Sequence, residues 1–91
     1  MIRIKCYTKR NCDACKIMIH ILTDIIVNSN IDISFGIRHY KGNEEEFQDN
    51  NIKQFPTTII FKNDKEIARL EGTYPREYLM DVINKLKEEK N

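Results

Sequence analysis

Cys12 and Cys15, separated by Asp13 and Ala14, have the spacing of a dithiol redox pair. Two intervening residues let a single helical turn bring both sulfurs together. The pair falls between an apolar strand-like run and a long apolar helix-like run, at the mouth of a β-to-α turn. If Asp13 opens the helix, Cys12 stands at its N-terminus. Unpaired N–H groups and the positive end of the helix dipole there favour a thiolate. Cys15, one turn in, is then shielded and placed to attack a bond that Cys12 has formed. Such exchange needs one accessible thiolate, a second thiol within reach, and a cleft that aligns the target disulfide. Lys9 and Arg10 would stabilise the Cys12 thiolate if they fold back toward it, whereas the Asp13 carboxylate works against it. The balance predicts a reactive but not extremely acidic Cys12, suited to a reductant or carrier more than to a strong oxidant.

Cysteine pairs at this spacing also ligate zinc, but a structural site needs four ligands. Only Cys6, His20 and His39 remain as candidates. His20 falls on the polar face of the helix and His39 ends a different strand, so no metal site is expected and redox chemistry is preferred. An inert pair is the other bland alternative. Cys6 reads as a small buried hydrophobe, and both histidines as solvated or satisfied side chains. Tyr7 and Tyr74 are candidates for the rim of a cleft. The run Glu44-Glu45-Glu46 reads most simply as a solvated helix start.

The 91 residues are expected to form a single domain, 1–91, with one core. A hydrophobic content of 41% against 32% charged residues argues for a folded chain rather than a disordered one. With 15 basic and 14 acidic residues the net charge is +1, which makes nucleic acid a poor partner. No apolar run reaches the length of about 18 residues that a membrane span requires. Met1 to Lys5 alternates Ile with charge and has no signal-peptide core, so a cytoplasmic location is expected; a monomer is expected as well. Three cysteines, an odd count, do not suggest a stapling framework.

Positioning elements follow from periodicity. Ile2 to Tyr7 alternates as a strand, with Ile2, Ile4 and Cys6 on one face and Arg3, Lys5 and Tyr7 on the other. From Asp13 to about Asn28, Ile17, Met18, Ile21, Leu22, Ile25 and Ile26 mark the apolar face of a helix. Ile31, Ile33, Phe35 and Ile37 alternate as a second strand. Glu44 to Asn50 can form a short helix whose apolar content is chiefly Phe47. Thr57 to Phe61 is a β-rich run, Asn63-Asp64 a hairpin turn, and Glu66 to Leu70 the returning strand. Pro75 suits the first turn of a last helix carrying Tyr78, Leu79, Val82, Ile83 and Leu86 and running to the charged tail. The order β-α-β-α-β-β-α predicts an α/β fold. Its mixed four-stranded sheet has a parallel first pair, an antiparallel last pair, and helices on both faces.

This order, with C-x-x-C after the first strand, resembles the thioredoxin-like superfamily. The likeness is sharpest from Asn51 through Phe55-Pro56-Thr57 and the Phe61-Lys62-Asn63-Asp64 turn to Gly72. The chain starts at the strand before the cysteines, which implies glutaredoxin-like proportions. It departs from thioredoxins in having Asn11 before the first cysteine and Asp13-Ala14 between the two. It departs from typical glutaredoxins at Gln54-Phe55 and Glu71-Gly72-Thr73, so the glutathione-binding signature is mostly missing. Cys6, six residues before Cys12, stands where thioredoxins bury an aspartate.

The resemblance implies a thioredoxin-like fold and a small thiol-disulfide oxidoreductase acting on protein disulfides. Cys12 would be the nucleophile, Cys15 the resolving thiol, and the mixed disulfide the intermediate. It implies a cis bond at Phe55-Pro56 that leaves the Phe55 backbone free to pair with a substrate strand. Phe55, Pro56, Gly72 and Asp13 would line the substrate groove, although Gly72 reads equally as a strand terminator. Implied partners are disulfide-bearing proteins and a reductase. The redox group would be the Cys12–Cys15 pair itself, with no cofactor beyond glutathione as an alternative reductant. A glutathione-dependent glutaredoxin-like protein, a non-catalytic binding module and a metal-holding module are the alternatives.

Overall fold

A computed structural model of the chain describes residues 1–88. Its elements run β1 (Ile2–Thr8), α1 (Asp13–Asn28), β2 (Ile33–His39), α2 (Glu44–Asp49), β3 (Thr57–Lys62), β4 (Lys65–Glu71) and α3 (Arg76–Glu88). The four strands form one sheet in the order β2-β1-β3-β4. β1 pairs parallel with β2 and antiparallel with β3, and β3 pairs antiparallel with β4. This is the mixed sheet and element order of the thioredoxin fold that the sequence predicts. The charged tail beyond residue 88 lies outside the described residues.

β1 and β3 occupy the centre, so both of their faces are covered. Ile2, Ile4 and Cys6 of β1 and Ile60 of β3 pack with Met18, Leu22 and Ile25 of α1 and Leu79, Ile83 and Leu86 of α3. On the opposite face Tyr7 and Ile59 pack with Phe47 of α2, with Ile52, Phe55 and Phe61 against them. The two clusters follow from the two-residue period of a strand: neighbouring residues of β1 supply opposite layers. Tyr7 is therefore fully buried, at 0% exposure, and not a rim residue. Periodicity alone placed it on the outer side of β1, but α2 covers that side too.

The helices end where their sequences require. α1 stops at Ser29, whose hydroxyl and N–H both bond to the Ile26 carbonyl, at 2.9 and 3.2 Å. Its buried stripe is Cys15, Met18, Leu22 and Ile25, narrower than the pattern of isoleucines suggests. Ile17 is 56% exposed, because the sheet meets only one side of the helix. β2 begins at Ile33 rather than Ile31, since Ile2, the first residue of β1, pairs with Ile33. Asn63 and Asp64 both adopt positive φ, 52° and 67°, the signature of the tight turn whose twist suits a two-residue hairpin.

Candidate active site

The dithiol lies in the connection after β1, at the sheet end where β1 and β2 both finish. Cys12 is the N-cap of α1, and its sulfur accepts a hydrogen bond from the Cys15 N–H at 3.2 Å. A sulfur thus replaces the hydroxyl or carboxylate oxygen that usually caps a helix. Cys12 and Cys15 are joined as a disulfide with their Cα atoms 5.2 Å apart. Cys12 is partly exposed, whereas Cys15, in the first turn, is buried at 2% exposure. Asp13, between them, is exposed and is the acidic residue of that turn. The two residues therefore differ in access, an asymmetry that thiol-disulfide exchange can use.

The Phe55-Pro56 peptide bond is cis. The loop holding it is fastened on both sides. The Thr57 hydroxyl donates to the Gln54 carbonyl at 2.6 Å, and the Gly72 N–H donates to the Pro56 carbonyl at 2.7 Å. Gly72 takes a φ of +92°, a backbone region that side chains disfavour. A Cβ at this position would also stand 3.0 Å from the Gln54 amide nitrogen. The glycine is thus needed where the end of β4 closes on the Pro56 loop. Among the described residues, no backbone hydrogen bond engages the N–H or C=O of Phe55. The closeness of the Gln54 amide to Gly72 has no local sequence signal, because the two lie on separate segments.

Lys9, in the loop before Cys12, holds its ammonium 5.1 Å from the centre of the Phe55 ring. This cation–π contact links the dithiol loop to the Pro56 loop across tens of residues of sequence. Phe55 in turn meets Tyr40 edge-on at 6.2 Å and stacks on Phe47 at 5.8 Å. Tyr40 joins the same neighbourhood because its N–H donates to the Thr8 carbonyl at 2.9 Å, fixing the end of β2 beside the cysteine loop. Sequence reasoning misses Tyr40, since nothing within its own segment marks the contact with Phe55. Tyr74 lies partly buried against the α1/α3 core and pairs with Tyr78 at 5.0 Å.

Cys6 is fully buried, as expected, and the Thr58 hydroxyl donates to its sulfur at 3.7 Å. Burial pushes the Cys6 thiol up, and the Thr58 contact offsets this only in part. A neutral, apolar thiol thus lies beneath the dithiol helix, and Cys6 is the one free cysteine. Exposed His39 shares a 3.2 Å contact with the Thr8 hydroxyl through Nδ1, and His20 is exposed on α1. Among the described residues, no three His, Cys, Asp or Glu side chains group as metal ligands. No helix among them is long and apolar enough to cross a membrane.

Comparison with known proteins agrees with this geometry. The thioredoxin family model matches residues 2–85. The thioredoxin of Chlamydia pneumoniae is 27% identical over 74 residues, covering 81% of this chain and 72% of that protein. Among solved structures, thioredoxin-2, a component of malaria parasite protein secretion machinery, superposes with a TM-score of 0.86 at 20% identity. That match covers 93% of this chain and 82% of the other. A Halobacterium salinarum thioredoxin gives a TM-score of 0.86 at 13% identity, over 99% and 78% of the two chains. At such identities the structural matches speak for the fold, while the family match extends over nearly the whole chain and includes both cysteines. With its C-x-x-C pair joined at the head of α1, the chain belongs to the thioredoxin family and is a thiol-disulfide oxidoreductase.

Proposed function

We propose that the protein reduces disulfides of protein substrates through a mixed-disulfide intermediate, with Cys12 as nucleophile and Cys15 as resolving thiol. The observation that carries this is the difference in access between the partly exposed Cys12 and the buried Cys15 at one helix N-terminus. The Cys12 thiolate attacks one sulfur of the substrate, and the first substrate thiolate leaves. Cys15 then attacks the Cys12 sulfur as a thiolate, and the second substrate thiolate leaves. Protons released from the two active-site thiols balance those taken up by the substrate thiolates. Two electrons have passed to the substrate, and the chain is left as its Cys12–Cys15 disulfide. Regeneration requires a reductase or a small thiol such as glutathione.

The Phe55 backbone, the cis-Pro56 loop, Gly72 and the exposed Asp13 form the surface against which the substrate strand lies. The unengaged Phe55 N–H and C=O supply strand-like pairing. A reducing compartment such as the cytoplasm suits this direction of electron flow.

The test is an equilibrium redox titration of the purified protein, with Cys12→Ser as control and Cys15→Ser to trap the intermediate. A two-electron midpoint of roughly −200 to −270 mV, the range of glutaredoxin and thioredoxin, is expected. Cys15→Ser should accumulate a mixed disulfide through Cys12. A midpoint near −120 mV would instead make the protein a disulfide donor. Absence of any reversible couple would overturn the redox reading.

A further inference from the structure

A groove of about 520 Å³ opens beside the dithiol loop, lined by Lys9, Arg10, His39, Tyr40 and Lys41. Among the described residues no carboxylate lines it, in a protein whose acidic and basic residues almost balance. Among the described residues, Lys9, Arg10 and Lys41 form no ion pair. Glu44, the nearest acid in the chain to Lys41, turns its carboxylate to the Gly42 N–H at 3.0 Å. Among the described residues, three basic side chains therefore face one opening with no carboxylate paired to them.

The groove is joined to the proposed substrate surface by its own walls. Lys9 lies over the Phe55 ring and Tyr40 meets the same ring edge-on. A chain paired with the Phe55 backbone would run directly onto these cations. Tyr40, 47% exposed, offers a flat apolar face among them.

We propose that this groove selects protein substrates carrying an acidic segment next to the disulfide to be reduced. The proposal rests on the reductase reading above and specifies its substrate class. Three cations distributed along an open groove match several carboxylates on one extended chain. They match less well a glutathione moiety, whose two carboxylates are partly offset by its ammonium. The contribution is chiefly steering and register, so it acts on the rate of productive encounter and is screened by salt.

The test uses the full chain and two disulfide-cyclised peptides, identical except that Asp and Glu flank one disulfide and Asn and Gln the other. Bis(2-hydroxyethyl) disulfide, small and neutral, reports the basal reaction. At low salt the acidic peptide should be reduced about tenfold faster in kcat/KM, the lower end of electrostatic steering. Lys41→Gln should shrink that preference and Lys41→Glu should reduce it to about twofold, both leaving the neutral small disulfide unaffected. Half-molar salt should abolish it.

Equal rates on the two peptides, with bis(2-hydroxyethyl) disulfide still reduced, would overturn the proposal and leave the dithiol reading standing. Loss of that basal reaction would overturn both. Reduction of glutathione disulfide is measured in parallel. If Lys41→Glu slows it as much as the acidic peptide, the groove serves the small tripeptide and the proposal fails.

Discussion

At Asp13 two electrostatic demands oppose one another. A carboxylate in the first turn favours the helix through its dipole, by about 0.3–1 kcal/mol at an exposed site. The same carboxylate, next in sequence to the Cys12 cap, disfavours a thiolate there. Replacing Asp13 by Asn should therefore separate the two effects. Alkylation of reduced Cys12 at pH 6 and low salt should become about two- to threefold faster, a small gain because Asp13 is exposed and screened. The Tm should fall slightly. Unchanged alkylation would mean that Asp13 does not act on the nucleophile. Spacing alone placed Asp13 and the two cysteines together, because all of them lie within one helical turn. Lys9 was visible as a nearby cation, but its position over Phe55 depends on a contact between distant segments, which no local pattern encodes. Tyr40 and Lys41 were invisible for the same reason.

At the scale of elements, α2 is a helix of only six residues, too short to persist without tertiary support. Phe47 anchors it to the sheet, and Glu46 pins it by accepting from the Tyr7 hydroxyl at 2.8 Å. Lys5 and Arg38 pair with the same carboxylate at 3.6 and 3.5 Å. Its far end is held where Arg69 of β4 donates to the Asn50 carbonyl at 2.7 Å. Burial first, and then the hydrogen bond and charge of Glu46, push the Tyr7 phenol above its ordinary value. The folded state thus holds the phenolic proton more tightly than the unfolded chain. The resulting stabilisation is complete below about pH 10, the ordinary tyrosine value, and is lost as pH rises through the higher folded-state value. Tyr7→Phe should cost about 1.5–3 kcal/mol at neutral pH, the range for a hydrogen bond to a charged group. It should also remove a component of the alkaline loss approaching about 1.4 kcal/mol per pH unit. Denaturant titrations of both proteins from pH 8 to 11.5 check this, and parallel stability curves would refute the coupling. The acids of its first turn and Phe47 mark α2 in the sequence, but nothing marks the Tyr7–Glu46 bond, because the alternation of β1 assigns Tyr7 a face without saying what covers it.

At the scale of the whole molecule, the two apolar layers share one sheet. Ile4 and Cys6 of β1 face α1 and α3, while Tyr7 of the same strand faces α2. Ile60 and Ile59 of β3 divide in the same way. Neither layer can be lost without uncovering the strands that carry the other, so the chain should unfold in one cooperative step. Leu79→Ala removes packing from the α1/α3 layer, at a cost of about 2–5 kcal/mol, and Phe47→Ala from the α2 layer, at about 3–5 kcal/mol. Two probes report on different parts. Far-UV circular dichroism is dominated by α1 and α3, with 16 and 13 residues, whereas in a Tyr74→Phe/Tyr78→Phe background the remaining tyrosines, Tyr7 and Tyr40, report on the α2 side through their fluorescence, with no tryptophan to mask them. Each substitution should shift both signals together to a lower denaturant midpoint, with the transitions remaining superimposable. An early fluorescence transition in Phe47→Ala, with the helical signal unmoved, would show that the α2 layer separates from the rest. The Pro56 loop is bonded to the end of β4 through Gly72 and contacts α2 through Phe55, so it depends on both layers. A separable α2 layer would free that loop while leaving Cys12 and Cys15 on an intact α1, and the reduced Phe47→Ala protein should then exchange with bis(2-hydroxyethyl) disulfide but lose its reactivity toward peptide disulfides.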